Sequence, residues 1–170
     1  MDIYLDLAKK TIKQFLKGQK LPEIKNLPPN LERQAGCFVS LHSKGDELRG
    51  CIGTILSTSK NLASEIMSNA IAACQDPRFL PVSLKEYENL EIQVDILSEP
   101  EPISSENSLD PKKYGVIVKA AGGRTGLLLP DLEGIDDKSY QVAIARKKAG
   151  ISPSEPIFLY RFTVDRHKEK

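Results

Sequence analysis

Between Leu90 and Ile96 the chain alternates strictly. Leu90, Ile92, Val94 and Ile96 are apolar, and Glu91, Gln93 and Asp95 between them are polar. Side chains along a strand point to opposite faces with a period of two, so this stretch predicts a β-strand with one face on a core and one toward water. Such a strand needs partners, and the chain supplies hairpins. Over 36–54, Cys37, Val39 and Leu41 alternate with Phe38, Ser40 and His42, the run Ser43-Lys44-Gly45-Asp46 has turn chemistry, and 47–52 returns as a strand. A second hairpin is predicted over 114–121 and 126–129 about Gly122-Gly123-Arg124-Thr125, and a last strand over 157–164.

Helical periodicity lies between these strands. Residues 2–17 place Ile3, Leu7, Ala8, Ile12, Phe15 and Leu16 on one face, with Gly18 as a stop. Ser57-Thr58-Ser59 offers N-caps for a helix over 60–75 that buries Leu62, Ala63, Ile66, Met67, Ala70 and Cys74, and Asp76-Pro77 ends it. Ser83 and Glu86 match a capping box for a short helix, and Asp136 or Asp137 caps a helix over 138–149 that Gly150 stops. Residues 19–35 hold three prolines and read as a linker. Hairpins and helices without βαβ alternation predict an α+β fold. Its sheet is mainly antiparallel and flanked by helices, in a single domain over 1–170 with room for a smaller second lobe.

Charge excludes some function classes. There are 24 basic and 23 acidic residues, a net charge of +1, so no global field pulls the chain toward nucleic acid or an anionic membrane. No apolar run approaches the ~18 residues that span a bilayer, and Met1-Asp2-Ile3-Tyr4 lacks the basic start of a signal peptide. Cys37, Cys51 and Cys74 are odd in number and widely spaced, which is neither a disulfide framework nor a zinc pattern. With only two histidines a metal site would need carboxylates; Glu91 and Asp95 on one strand face are read as its solvated side, so no metal site is expected, and a reducing cytoplasm is the expected setting.

Chemistry concentrates in Leu48-Arg49-Gly50-Cys51-Ile52-Gly53-Thr54. An even hairpin loop sets His42 opposite Glu47, Ser40 opposite Arg49 and Phe38 opposite Cys51, with Arg49 and Cys51 on one face. Three readings stand for Cys51: a buried core thiol, the wall of a binding site, or a nucleophile whose thiolate Arg49 favours. Gly50 and Gly53 admit the close approach of a ligand or of another backbone. Arg49 and Arg78 form a fork for a carboxylate or phosphate, or else structural ion pairs: Arg78 with Asp76, and Arg49 with Glu47 or Asp95. Asp76 can also accept hydrogen bonds from its own turn. The hydroxyl-rich run from Thr54 to Ser59 leads into a helix N-terminus, where backbone amides hold an anion or hydroxyls simply cap. Arg124, Arg146, Lys147, Lys148 and Arg161 are the candidates for a basic nucleic-acid patch, against a helix-dipole reading of the lysines and Arg146.

The Arg49-Gly50-Cys51-Ile52-Gly53 motif resembles the signature of the AMMECR family (the A component of AmmeMemoRadiSam systems). Gly36–Leu41, Asp76–Pro81, Leu90–Leu97, Gly126–Pro130 and Lys148–Ile151 are similar to further blocks of that family, in order, over about 35–165. The resemblance implies an α+β fold of unestablished activity, in the company of Memo-like and radical-SAM-like proteins. It leaves cofactors unknown and the question of enzymatic activity open. One departure is plain: where the family commonly carries a cysteine before its Lys-Ala-Gly block, this chain has Arg146. The functional expectation is binding or modification of a small anionic ligand or macromolecule through Arg49, Gly50, Gly53, Asp76 and Arg78, with Cys51 as the catalytic candidate. The alternative is a non-enzymatic binding module for a protein or RNA partner.

Overall fold

The computed structural model describes residues 2–169 and divides the chain into two compact units. The first runs to Leu97 and takes the chain back from Asp165; the second is Ser98–Val164.

In the first unit, helix α1 (Ile3–Leu16) is capped by Asp2, whose Oδ1 accepts from Tyr4 N at 3.0 Å and Leu5 N at 3.1 Å. Its stop is Gly18, at φ 63°. The buried stripe is rotated from the expected one: Tyr4, Leu5 and Thr11 are inside with Leu7, Ala8 and Ile12, while Ile3 is exposed. The expected linker contains one helical turn, α2 (Pro29–Glu32), anchored by fully buried Leu31. Hairpin β1 (Cys37–Ser43) and β2 (Glu47–Gly53) leads to α3 (Leu62–Cys74), a 3₁₀ turn at Tyr87–Asn89 and β3 (Leu90–Leu97). Helices α1 and α3 pack together and onto β1 and β3, burying Ile12, Val39, Leu41, Leu62, Ile66, Ala70, Ile92 and Val94. Leu90, Ile92, Val94 and Ile96 are all buried, as their alternation predicts.

In the second unit β4 (Glu101–Ile103), β5 (Gly115–Ala120), β6 (Thr125–Leu128) and β7 (Ile157–Phe162) form a sheet in the order β4-β7-β5-β6, with α4 (Lys138–Lys148) against β5 and β6. Val116, Val118, Ala120, Leu128, Val142 and Ala145 make its core. The expected last strand is in fact two: β7, then β8 (Val164–Lys168), which completes the first unit's sheet in the order β2-β1-β3-β8. His167 lies on β8. Its Nδ1 is 2.6 Å from Asp2 Oδ2, and its ring lies 4.6 Å from that of Tyr4. All the paired strands described in both sheets run antiparallel, so the fold is α+β.

The β1–β2 hairpin departs from the expected register. Ser43 pairs with Glu47 across a three-residue loop in which Gly45 and Asp46 have φ 97° and 64°. His42 then faces Leu48, the register shifts, and Leu41 faces Gly50, Ser40 faces Cys51 and Phe38 faces Gly53. Arg49 is the extra residue of a β-bulge. The expected pairing assumed an even loop and an unbroken ladder; residues at positive φ close an odd loop, and the bulge re-aims the strand beyond it.

Candidate functional site

β2 is an edge strand, and the Asp76-Pro77-Arg78 turn that ends α3 is docked directly on it. Asp76 Oδ2 accepts from Cys51 N at 2.9 Å, and Arg78 Nη2 donates to Cys51 O at 3.3 Å. The two side chains grip each other: Arg78 Nη2 to Asp76 Oδ2 at 2.7 Å, Arg78 Nε to Asp76 Oδ1 at 3.1 Å, and the Arg78 amide to the same oxygen at 3.0 Å. The Arg78 guanidinium holds the buried Asp76 carboxyl well below the usual carboxylate range, against the cost of burial. Both outward peptide groups of Cys51 are thus satisfied by a turn that arrives 25 residues later, and the sheet edge is closed there.

Arg49 goes elsewhere. Its Nε donates to Glu86 Oε1 at 2.9 Å and its Nη2 to Pro81 O at 3.4 Å. Glu86 is the capping-box acid foreseen in the sequence, and its other oxygen accepts from Ser83 N at 2.7 Å and Ser83 Oγ at 2.9 Å. The amide of Ser83, then its hydroxyl and Arg49, hold the Glu86 carboxyl below its ordinary value. Glu86, rather than Glu47 or Asp95, is the partner of Arg49. Asp95 is itself buried, with its oxygens on Arg166 Nε at 2.8 Å and Nη2 at 3.2 Å, so the polar face of β3 runs from exposed Glu91 to a buried ion pair at Asp95.

The free sides of the signature glycines are filled by the chain. A Cβ on Gly50 would lie 2.3 Å from Ala73 O of α3, and one on Gly53 would lie 2.2 Å from Cγ of its cross-strand neighbour Phe38. Gly50→Ala is expected to destabilise the protein by about 1–3 kcal/mol, because backbone rather than a movable side chain must yield. A lowered urea midpoint at unchanged slope measures it.

The Cys51 thiol is partly exposed and accepts from Ser40 Oγ at 3.1 Å. Burial pushes its pKa up; the Ser40 hydroxyl and the Arg78 charge offset this only in part, and Asp95 and Asp76 add to the rise. His42 is turned into the hairpin loop, with Nδ1 3.2 Å from Asp46 Oδ1. Cys37 and Cys74 are buried thiols pushed up to about 12 and about 11 by burial.

The run from Thr54 to Ser59 does hold an anion, and the anion is the protein's own. Glu65, in the first turn of α3 and almost wholly buried, accepts from Thr54 Oγ1 at 2.6 Å, Thr58 Oγ1 at 3.0 Å, Ser57 Oγ at 3.1 Å, Thr58 N at 2.9 Å and Ser59 N at 2.7 Å. Burial raises its pKa, and these hydrogen bonds more than reverse that, leaving it lowered. The helix cap itself is Asn61, which accepts from Ser64 N at 2.9 Å. Glu65 escaped the sequence reading. The available signal was a carboxylate at the edge of an apolar stripe, just after four closely spaced hydroxyls.

In the second unit the candidate basic patch is largely tied down. Arg124 pairs with Glu155, Arg161 pairs with Glu101 and donates to Ser108 O, Arg146 donates to Ser152 O and Glu155 O, and Lys148 donates to Leu127 O. Phe158 is exposed on β7. Among the described residues no three His, Cys, Asp or Glu side chains come together in a group fit for a metal ion, and no helix is long and apolar enough to cross a membrane.

These features define an α+β protein of two antiparallel-sheet units with an edge strand clamped by an Asp–Arg turn. The AMMECR1 family model matches residues 5–167, and the chain belongs to that family. A protein of Thermotoga maritima is 50% identical over 169 residues, 97% of each chain. One of Clostridium acetobutylicum is 45% identical over 172 residues, which are 99% of this chain and 36% of that longer protein. The crystal structure of an uncharacterised protein of Pyrococcus horikoshii, PH0010, superposes with a TM-score of 0.90 at 32% identity, covering 98% of this chain and 90% of that one.

Proposed function

We propose that this protein is a non-enzymatic binding module, whose signature strand and Asp76–Pro81 turn form a rigid surface that holds an anionic group of a partner through Arg78. The observation that carries this reading is the use made of the signature residues. Asp76 and Cys51 occupy the Nε and Nη2 side of Arg78, and its side chain as a whole remains 58% exposed. Arg49, Gly50 and Gly53 serve to seat the strand and turn, and Cys51 forms the wall beneath. The modification reading requires an activated Cys51, and its surroundings favour the neutral thiol.

Cysteine-resolved alkylation against pH, followed by mass spectrometry, tests the choice. Cys51 is expected to react as a thiol with an apparent pKa above the ordinary ~8.5. A value below that in the folded protein overturns the non-enzymatic reading. The module is placed alongside other proteins, the Memo-like and radical-SAM-like ones that the family resemblance implies. Three cysteines without a disulfide support a reducing setting such as the cytoplasm.

A further inference from the structure

We infer that the turn from Pro77 to Lys85 is a docking platform for a protein partner, and that it takes a segment in which an acidic residue lies beside apolar ones. This rests on the binding-module reading and gives that module's surface an occupant. The turn reads Pro-Arg-Phe-Leu-Pro-Val-Ser-Leu-Lys, with two cations and no acid. Leu80 is 84% exposed and Leu84 is 42% exposed, and Pro77 and Pro81 are exposed beside them. Single exposed leucines are ordinary; two on one short turn, flanked by exposed prolines, are not.

The exposure belongs to a held conformation. The turn is fixed at its start by Phe79 N on Asp76 O at 3.0 Å, at its middle by Arg49 on Pro81 O and Val82 N on Cys74 O at 2.9 Å, with Val82 buried, and at its end by Glu86 N on Ser83 O at 3.1 Å. Two prolines restrict it further. A partner landing there does not have to order it, which lowers the entropic cost of binding. Arg78 supplies the charge: Nε and Nη2 are held by Asp76 and Cys51 O, and Nη1 has no hydrogen-bond partner among the described residues. A planar guanidinium anchored on one side presents its other donors in a set direction, the geometry that suits a carboxylate. Lys85 adds a second cation at the rim. A nucleic acid fits less well. The exposed apolar groups are aliphatic, and Phe79 is half-buried with the Arg78 guanidinium 5.5 Å from its ring centroid, so no open aromatic face is offered to a base.

A displayed random-peptide library selected on the full chain provides the probe, and fluorescence anisotropy of the selected peptides provides the measurement. The expected peptides carry Asp or Glu next to Leu, Ile or Phe. Their affinity is expected to fall about tenfold or more in Arg78→Glu and in Leu80→Asp, and to hold in Lys119→Glu on the second unit. Leu80→Asp keeps the test decisive if Arg78→Glu disturbs the Asp76 clamp, since Leu80 is almost fully exposed; thermal melts of each variant report folding. Selected peptides without acidic enrichment, equal binding to Leu80→Asp, or a selection that returns no binder each overturn the platform. A U-rich oligoribonucleotide that binds with dependence on Arg78 but not on Leu80, where the peptides do not, overturns it in favour of RNA. The Cys51 titration is read separately: loss of the platform leaves the non-enzymatic module standing, and a reactive Cys51 removes that module whatever the peptides do.

Discussion

Glu65→Ala is expected to lower the unfolding free energy by about 3–5 kcal/mol, the largest effect of any single polar replacement in the first unit. The carboxylate is almost wholly buried and accepts five hydrogen bonds, two of them from backbone amides. Truncation removes those charge-assisted bonds and leaves Thr58 N and Ser59 N facing a cavity. It also releases Thr54, the residue after β2, which accepts from Asn69 Nδ2 at 3.3 Å. The signature strand therefore loses its C-terminal anchor as well as the energy of the cradle. Because the folded pKa of Glu65 lies below its ordinary 4.5, its contribution is present above that value and is lost as pH falls through the folded one. Urea unfolding of the wild type and of Glu65→Gln from neutral pH down to acid checks both points. The Gln protein is less stable at pH 7, and the gap closes on the acid side. A Glu65→Gln protein as stable as the wild type at neutral pH would show that the cradle contributes nothing.

Asp76→Ala is expected to cost about 2–4 kcal/mol and to make the protein prone to self-association. The carboxylate accepts from Cys51 N and from three donors of Arg78, and it is buried while Arg78 is largely exposed, so solvent screening keeps the figure below that of a fully buried pair. Its loss opens the β2 edge at Cys51 and frees Arg78 from its fixed direction. Urea denaturation reads the stability, and light scattering against protein concentration reads the edge. A variant that stays monomeric and matches the wild-type midpoint would mean that the turn does not protect the strand. The pH sign is that of Glu65: a folded pKa held below the ordinary 3.8 supports the fold above that value and fails as pH falls toward the folded one. Both carboxylates support the fold above their ordinary values and lose that contribution as pH falls below them.

Much of this architecture was legible residue by residue. The alternation at Leu90–Ile96, the Ser83–Glu86 capping box, the Asp137 cap of α4 and the Gly122-Gly123 turn all act within a few residues, and each is where its local chemistry placed it. The Asp76–Arg78 pair was open to reading as an ion pair because its partners are two residues apart. The partner of Arg49 was not, since Glu86 lies 37 residues on and the sequence offered nearer acids. Glu65 was hidden because a carboxylate in a helix looks solvated until the loop folded over it is known. The strand register failed for a smaller reason: a loop of odd length and one bulged residue leave no mark in an alternating pattern.

Periodicity, caps and turn residues by themselves determined the α+β class and most of its elements, because those signals depend on short-range sterics and hydrogen bonding. Only the tertiary structure decided what the charged groups do. It turned an apparent anion site at Thr54–Ser59 into a seat for Glu65, and an apparent fork of two arginines into two separate anchors. The reason is electrostatic. A buried charge must find a partner, and its choice among many is made by the packing of distant segments, which no local pattern records.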